Sequence, residues 1–309
     1  MNKLLVTPAP HIRTWMTTTR LMLDVIIALV PALIAATVAF GWRAPVVVAV
    51  CVAACVVSEW IYEKAMKKEN TVRDLSAVVT GILLAYNLPV TIPIWQAVFG
   101  SFAAIILVKQ LFGGIGKNFA NPAITARIVM FLAFSASMTR FIAPQTAYDA
   151  VSTATPLALL STGRINQLPA IKDFLIGTRA GTLGETGVIA LLLGGFYLLV
   201  RKVITWHTPV CFIATVFILT AIMGKEPVYQ LLSGGLIIGA FFMATDYVTT
   251  PQTSWGRVIF GVGAGLLTVL IRLYGSYPEG VSFAILLMNI LTPFINSATM
   301  HKPFGGVKA

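Results

Sequence analysis

The sequence predicts an all-α polytopic membrane protein, with about ten transmembrane helices arranged as two inverted five-helix repeats. Two features of its composition predict the membrane class. Hydrophobic residues make up 57% of the 309-residue chain and charged residues 11%, which is more apolar surface than a soluble core of this size needs. Apolar runs of roughly 17 to 22 residues recur along the chain, and each is long enough to cross a bilayer. A third feature, an internal repeat, predicts the arrangement.

The apolar runs predict the spans and a division into five segments. The spans lie near 21–41, 44–62, 74–88, 93–112, 122–139, 185–204, 208–223, 228–245, 256–273 and 280–298. Because a mixed polar segment with Pro8 and Pro10 precedes the first run, we interpret that run as an uncleaved span and not as a signal peptide. The predicted segments are a cytoplasmic N-terminal segment 1–20, a first repeat 21–139, an outer-face loop 140–184, a second repeat 185–298 and a cytoplasmic tail 299–309.

The basic residues predict the orientation. When they are assigned to alternate sides of the ten spans, 14 fall on one side and 7 on the other, and Arg127 is left inside a span. Cytoplasmic loops collect Lys and Arg, so both termini are predicted to lie in the cytoplasm and 140–184 on the outer face of the cell (inner) membrane. The net charge of +11 is explained in this way and does not indicate a nucleic-acid partner.

Two stretches of the chain resemble each other. Phe99-Gly100 precedes an apolar run that ends at Leu111-Phe112-Gly113, and Phe260-Gly261 precedes a run that ends at Leu273-Tyr274-Gly275. The first stretch belongs to a unit of spans three to five and the second to a unit of spans eight to ten, and spans three and eight cross the membrane in opposite directions. Inverted repeats place a binding site near the midplane, often at broken helices. Candidate breaks are Asn87-Leu88-Pro89, Asn121-Pro122, Thr245-Asp246 with Pro251, and Pro278-Glu279-Gly280, although ordinary loop punctuation explains any single one equally well.

The chain is poor in groups that catalyse reactions unaided. His11, His207 and His301 accompany no plausible nucleophile, and we predict no catalytic residue and no metal site. Cys51 and Cys55 lie four residues apart in an apolar run, where small packing residues are a better explanation than half of a metal site. A bound cofactor must therefore supply any chemistry.

Two charged positions are candidates for function. Arg127 lies in the fifth span, where a charge costs at least about 2.5 kcal/mol, so it should face a cofactor, an ion path or a structural partner. Asp246 is accompanied by Thr245, Thr249 and Thr250 at a predicted helix break. These oxygens are suited to an ion or a proton, and Asp246 is the ion-path candidate.

The predicted outer loop contains the sequence DAVSTATPLALL, residues Asp149 to Leu160. Ser152, Thr153 and Thr155 supply hydroxyls around the small Ala154. Because the neighbouring sequence holds no base that would activate a hydroxyl, the residues alone favour a plain Ser/Thr loop. The alternative is an attachment point for a group that another enzyme transfers.

Over essentially its whole length the chain resembles the Rnf D subunits, which belong to ion-translocating ferredoxin:NAD oxidoreductases and are related to the B subunit of the sodium-translocating NADH:quinone reductase. Four stretches carry the resemblance: the basic segment before the first span, Gly113 to Ala123, Asp149 to Leu159, and Phe242-Met243-Ala244-Thr245-Asp246. The resemblance implies a redox subunit that couples electron transfer to Na⁺ or H⁺ movement. Its partners would be the other membrane and peripheral subunits of the complex.

The resemblance also implies a covalent flavin. In that family FMN is joined through its phosphate to the last threonine of a Ser-Gly/Thr-Ala-Thr motif by a flavin transferase. The motif here reads Ser152-Thr153-Ala154-Thr155, which implies Thr155 and leaves Thr153 as the competitor because the second residue is not Gly. A second, non-covalent riboflavin in the membrane part is implied as well. The alternatives are a secondary transporter or channel of the same architecture without a redox role, and a structural anchor.

Overall fold

The computed structural model describes residues 16–142, 144, 154–185, 187–275 and 279–300, and its regular elements are helices. Four of the described helices are long and apolar enough to cross a membrane, which makes the chain a multi-pass membrane protein. They are α1 (Thr18–Phe40), α2 (Arg43–Ala65), α13 (Ser254–Tyr274) and α14 (Val281–Thr299).

Shorter helices fill the remaining apolar runs. They are α3 (Ser76–Tyr86), α4 (Ile94–Phe102), α5 (Pro122–Ala133), α9 (Val188–Val200), α10 (His207–Ile222), α11 (Pro227–Leu232) and α12 (Leu236–Ile238). Two π-helical segments, Ala103–Gln110 and Gly239–Met243, continue α4 and α12. Three very short helices, α6 (Ser135–Met138), α7 (Pro156–Ser161) and α8 (Ile171–Ile176), precede the second half, together with the 3-10 turns Ile165–Gln167 and Leu183–Glu185.

Several predicted spans are not continuous helices of spanning length. The run 74–88 forms only the 11-residue α3, which at about 1.5 Å per residue covers roughly half of a bilayer core. The run 228–245 is interrupted at Ser233-Gly234-Gly235, between α11 and α12. Gly234 takes a positive φ of 65°, a conformation that β-carbon sterics disfavour for other residues. The span predicted over 122–139 also changes direction, because Phe134 separates α5 from α6.

Two of the predicted helix breaks meet inside the molecule. Asn87 follows the last residue of α3, and Asn121 caps α5 by accepting a hydrogen bond from the Ala123 amide at 3.0 Å. Both asparagines also contact Met243, the last residue of the second π-helical segment. The Asn87 Nδ2 lies 3.7 Å from the Met243 sulfur, and the Asn121 Nδ2 donates to the Met243 carbonyl at 3.4 Å. The breaks therefore converge where unpaired backbone groups find partners.

The helices pack through small residues and one buried carboxylate. Gly194 of α9 lies so close to α1 that a β-carbon there would sit 2.0 Å from the Ala28 carbonyl oxygen, and Gly261 of α13 approaches the Thr208 carbonyl of α10 in the same way. Asp24 of α1 accepts a hydrogen bond from the Tyr197 hydroxyl of α9 at 2.9 Å. In addition, α1 contacts α9, and α5 contacts α14.

Candidate functional site

Thr155 lies at the start of α7, where it serves as the helix N-cap. Its backbone is extended, and its hydroxyl accepts a hydrogen bond from the Ala158 amide at 3.3 Å, which is the usual role of Thr before a proline at the first helical position. Ala154 is exposed, whereas Thr155 is buried. The other predicted members of the attachment motif, Asp149, Ser152 and Thr153, lie outside the described residues.

A small cavity adjoins Thr155. Its other lining residues come from α5, α6, the segment just after α6, and the start of α14, and they are mainly aromatic and apolar: Arg127, Ile128, Phe131, Met138, Thr139, Phe141, Glu279, Ser282 and Phe283. We call this the Thr155 cavity; its volume is about 60 Å³, well below the roughly 300–1,000 Å³ of sites that enclose a small molecule.

Two charged residues line the Thr155 cavity, Glu279 and Arg127, and the more buried of the two is Arg127. It lies on α5, is buried, donates a hydrogen bond from Nη1 to the Ser282 hydroxyl at 2.6 Å and forms an ion pair with Glu279. The structure thus places two sequence candidates, Arg127 and Thr155, beside one cavity. The ion pair neutralises the arginine as it stands, and Glu279, at 19% exposure, is the more accessible partner.

Asp246 adjoins a different and larger cavity, of about 370 Å³, which shares no described lining residue with the Thr155 cavity. Its carboxylate accepts a hydrogen bond from the Thr249 hydroxyl at 3.0 Å, and Thr250 donates to its backbone carbonyl at 2.5 Å. We call this the Asp246 cavity. Its polar lining residues include Ser76, Thr80, Lys109, Asn118, Asn121 and Thr245.

A buried ionic network next to the Asp246 cavity was not predicted. Lys109 Nζ lies 2.5 Å from Glu59 Oε1 and 2.6 Å from the Ser76 hydroxyl, and Gln110 donates to the same Glu59 oxygen at 2.8 Å. Glu63 accepts a hydrogen bond from the Thr71 backbone amide at 3.2 Å and joins the network. Lys109 is buried, with only 2% of its surface exposed. Two features of the sequence could have indicated this network: an apolar run that ends in Lys-Gln, and a glutamate inside the second apolar run.

The cysteines have packing roles. Cys51 and Cys55 are fully buried on α2, and Cys55 contacts the Ser101 carbonyl at 3.9 Å. Within the described residues, no group of three or more His, Cys, Asp or Glu side chains is placed to hold a metal ion.

Comparisons with known proteins match nearly the whole chain. A family model described as the NQR2, RnfD, RnfE family covers residues 5–305. The chain is 46% identical to the D subunit of the Na⁺-translocating ferredoxin:NAD⁺ oxidoreductase complex of Acetobacterium woodii, over 100% of this chain and 98% of that protein. It is 42% identical to the D subunit of the proton-translocating ferredoxin:NAD⁺ oxidoreductase complex of Clostridium ljungdahlii, over 98% and 97%. The D subunit of an ion-translocating oxidoreductase complex of Alcanivorax borkumensis is 35% identical, over 98% and 97%.

Proposed function

Because this chain belongs to the NQR2, RnfD, RnfE family, we propose that it is a membrane redox subunit that carries FMN on Thr155 and links electron transfer to ion movement. It acts as one subunit of an ion-translocating ferredoxin:NAD⁺ oxidoreductase complex. The observation that carries the flavin proposal is the position of Thr155. The last hydroxyl of the Ser-Thr-Ala-Thr motif lies at an aromatic cavity that also holds a buried arginine.

The residues that line the Thr155 cavity supply the groups that a flavin needs, but its volume of about 60 Å³ cannot enclose the ring, which would therefore extend outside it. When bound, FMN exchanges one or two electrons, which lets it connect two-electron and one-electron carriers. Thr155 would hold it through a phosphoester, formed by a flavin transferase. Phe141 and Phe283 offer apolar faces for the ring, and Arg127 and Ser282 offer hydrogen-bond donors to its polar edge or to the phosphate.

The Asp246 cavity is where we place the non-covalent riboflavin. Its volume of about 370 Å³ falls within the range of small-molecule sites, about 300–1,000 Å³. Most of its lining is apolar, while the Asn118 Oδ1 is buried without a hydrogen-bond partner. A flavin ring supplies the N–H donor that such an oxygen needs. Replacing Asn118 with Leu should lower the riboflavin that copurifies, whereas Asn70→Leu, at an exposed asparagine, should not.

The architecture we propose is ten membrane segments in two inverted repeats, with both termini in the cytoplasm and the loop 140–184 on the outer face of the inner membrane. The contacts of α1 with α9 and of α5 with α14 support a two-fold relation between the halves. Asp246, next to the converging breaks, would lie on the path of Na⁺ or H⁺, because irregular backbone at membrane depth is tolerated where it lines a cavity.

Covalent flavin is the decisive test of the redox role. The full chain, co-expressed with a flavin transferase, should give a fluorescent band on a denaturing gel, and peptide mapping should place the flavin on 154–161. Thr155→Ala should abolish the fluorescence, whereas Thr153→Ala should keep it. A Thr155→Ala band that stays fluorescent contradicts the assignment, and a wild-type chain without flavin favours a transporter or channel of the same architecture.

Ion coupling is tested separately in vesicles that contain the whole complex. Asp246→Asn should reduce ion uptake driven by electron flow while the covalent flavin content stays at the wild-type level. Asp173→Asn, which changes a carboxylate in the first turn of α8, is the matched control. Normal uptake by the Asp246→Asn complex would remove this residue from the ion path.

A further inference from the structure

Three buried arginines lie around one buried glutamate on the side of the molecule that holds Thr155. They are Arg127 on α5, Arg179 after α8 and Arg272 near the end of α13, and their exposed fractions are 6%, 2% and 6%. Glu185, which is 3% exposed, interacts electrostatically with all three. We call these four residues the arginine layer.

Backbone carbonyls hold two of the arginines in place. Arg272 donates to the Gln230 carbonyl at 2.6 Å and to the Ser233 carbonyl at 3.0 Å. Arg179 donates to the Leu232 carbonyl at 2.7 Å. These oxygens belong to the end of α11 and the break that follows it, where positive charge is favourable because the last carbonyls of a helix carry partial negative charge. The two guanidinium groups are therefore fixed, and they cannot turn freely toward water.

The arginine layer carries more positive than negative charge. Among the described residues, the carboxylates that pair or interact with the three arginines are Glu185 and Glu279, which leaves one positive charge in surplus. Several hydrogen-bonding atoms are also buried without a partner, namely Arg179 Nε, Arg179 Nη1, Arg272 Nε and Glu185 Oε1. Burial lowers the pKa of Arg179, an effect that Glu185 partly offsets, yet arginine stays protonated in proteins. A buried positive charge of this kind favours an anion nearby.

The break at Gly234-Gly235 brings the arginines close to the helix that begins after Thr155. A β-carbon on Gly234 would lie 3.0 Å from Arg272 Nη2 and 2.6 Å from Leu157 Cδ1. A β-carbon on Gly235 would lie 3.8 Å from Arg127 Nη1. Leu157 is two residues beyond Thr155. The first turn of α7 thus packs against a pair of glycines that has a guanidinium group on either side.

We propose that the arginine layer is an anion-stabilising device that raises the reduction potential of the flavin on Thr155. This inference rests on the proposed flavin. Reduction by two electrons from a redox partner, with uptake of one proton, gives the flavin ring one more negative charge than the oxidised ring has. Surplus positive charge favours that form. At an effective dielectric constant of about 20, a unit charge roughly 10 Å away shifts such an equilibrium by more than tenfold.

The test is a redox titration of the full chain, loaded with flavin by a co-expressed transferase and purified in detergent. Arg272→Gln should lower the midpoint potential of the covalent flavin by about 30 mV or more, which is a tenfold change for a two-electron couple. Arg272→Lys keeps the charge and should stay near wild type. Glu185→Gln removes a negative charge and should shift the potential in the opposite direction. These signs separate a charge effect from loosened packing.

A matched control lies on the same helix. Arg257, near the start of α13, donates to the Thr205 hydroxyl and lies outside the arginine layer, so Arg257→Gln should leave the potential unchanged. Fully flavinylated Arg272→Gln and Glu185→Gln chains with wild-type potentials would overturn the inference. A wild-type chain that carries no covalent flavin would instead refute the proposed flavin site, so the two failures are distinguishable.

Discussion

Replacing Lys109 with Met should destabilise the protein by about 3–5 kcal/mol, which is the usual cost of breaking a buried ion pair from one side. Lys109 is almost isosteric with Met along its stem, so the main loss is the ammonium group. That group lies 2.5 Å from Glu59 Oε1, and Glu59 has no exposed surface. Its second oxygen, Oε2, is already buried without a hydrogen-bond partner. Without Lys109, the Gln110 amide and the Thr71 hydroxyl are left to stabilise this carboxylate.

The assay is the apparent melting temperature of the purified chain in detergent, followed by loss of the monodisperse peak in size-exclusion chromatography. The double variant Glu59→Gln with Lys109→Met removes both charges and should recover most of the lost stability, because the cost comes from an unpaired charge. Lys64→Met, at an exposed lysine over the Trp60 ring, is the matched control and should change little. A Lys109→Met chain as stable as wild type, or a double variant no better than the single one, would refute the reasoning.

Three further predictions concern a glycine with positive φ, a helix N-cap and a buried tyrosine hydroxyl, and they use the same melting assay. Gly234→Ala should destabilise the protein more than Gly224→Ala. Both glycines have a positive φ, which costs an alanine about 1–2 kcal/mol, but only at Gly234 would the new β-carbon meet close neighbours. Equal losses of stability in the two variants would contradict this reasoning. Asn121→Ala removes an N-cap and should cost about 1 kcal/mol, with Asn121→Asp retaining most of the stability if the cap is the cause. Tyr86→Phe removes a hydrogen bond of 2.7 Å to the Leu29 carbonyl and should also cost about 1 kcal/mol; no loss would show that this bond contributes nothing.

The long helices were predictable because each is coded by its own apolar run. The ends of α1, α10, α13 and α14 agree with the predicted spans within about three residues. The breaks at Asn87 and Asn121 were also predictable, since a proline stands within two residues of each: Pro89 follows the end of α3, and Pro122 occupies the first position of α5. These are local properties, and local sequence was enough to predict them.

The buried charges could not be predicted because their partners are distant in the sequence. Lys109 and Glu59 are separated by 50 residues, and Arg127 and Glu279 by 152. A lysine at the end of an apolar run normally extends its ammonium group to water, and the count of basic residues assumes that it does. The fold removes this option for Lys109, because α2 and α3 cover the end of the first π-helical segment. Only the three-dimensional packing decides between the two outcomes.

Residues 234–246 run from the neighbourhood of Arg127, which lines the Thr155 cavity, to Asp246, which lines the larger cavity. The glycine pair at the start of this segment lies between Arg127 and Arg272, and Asp246 at its end adjoins the larger cavity. Between them, Met243 contacts both asparagines at the first-half breaks, and the Ala244 amide bonds to the Gly239 carbonyl at 2.7 Å with π-helical spacing. Short π-helical stretches occur frequently at functional sites, and coupling requires an element with two arrangements that both sites bias. Because this segment touches the arginine layer, the converging breaks and Asp246, it offers a contiguous route between the flavin and the ion site that we propose.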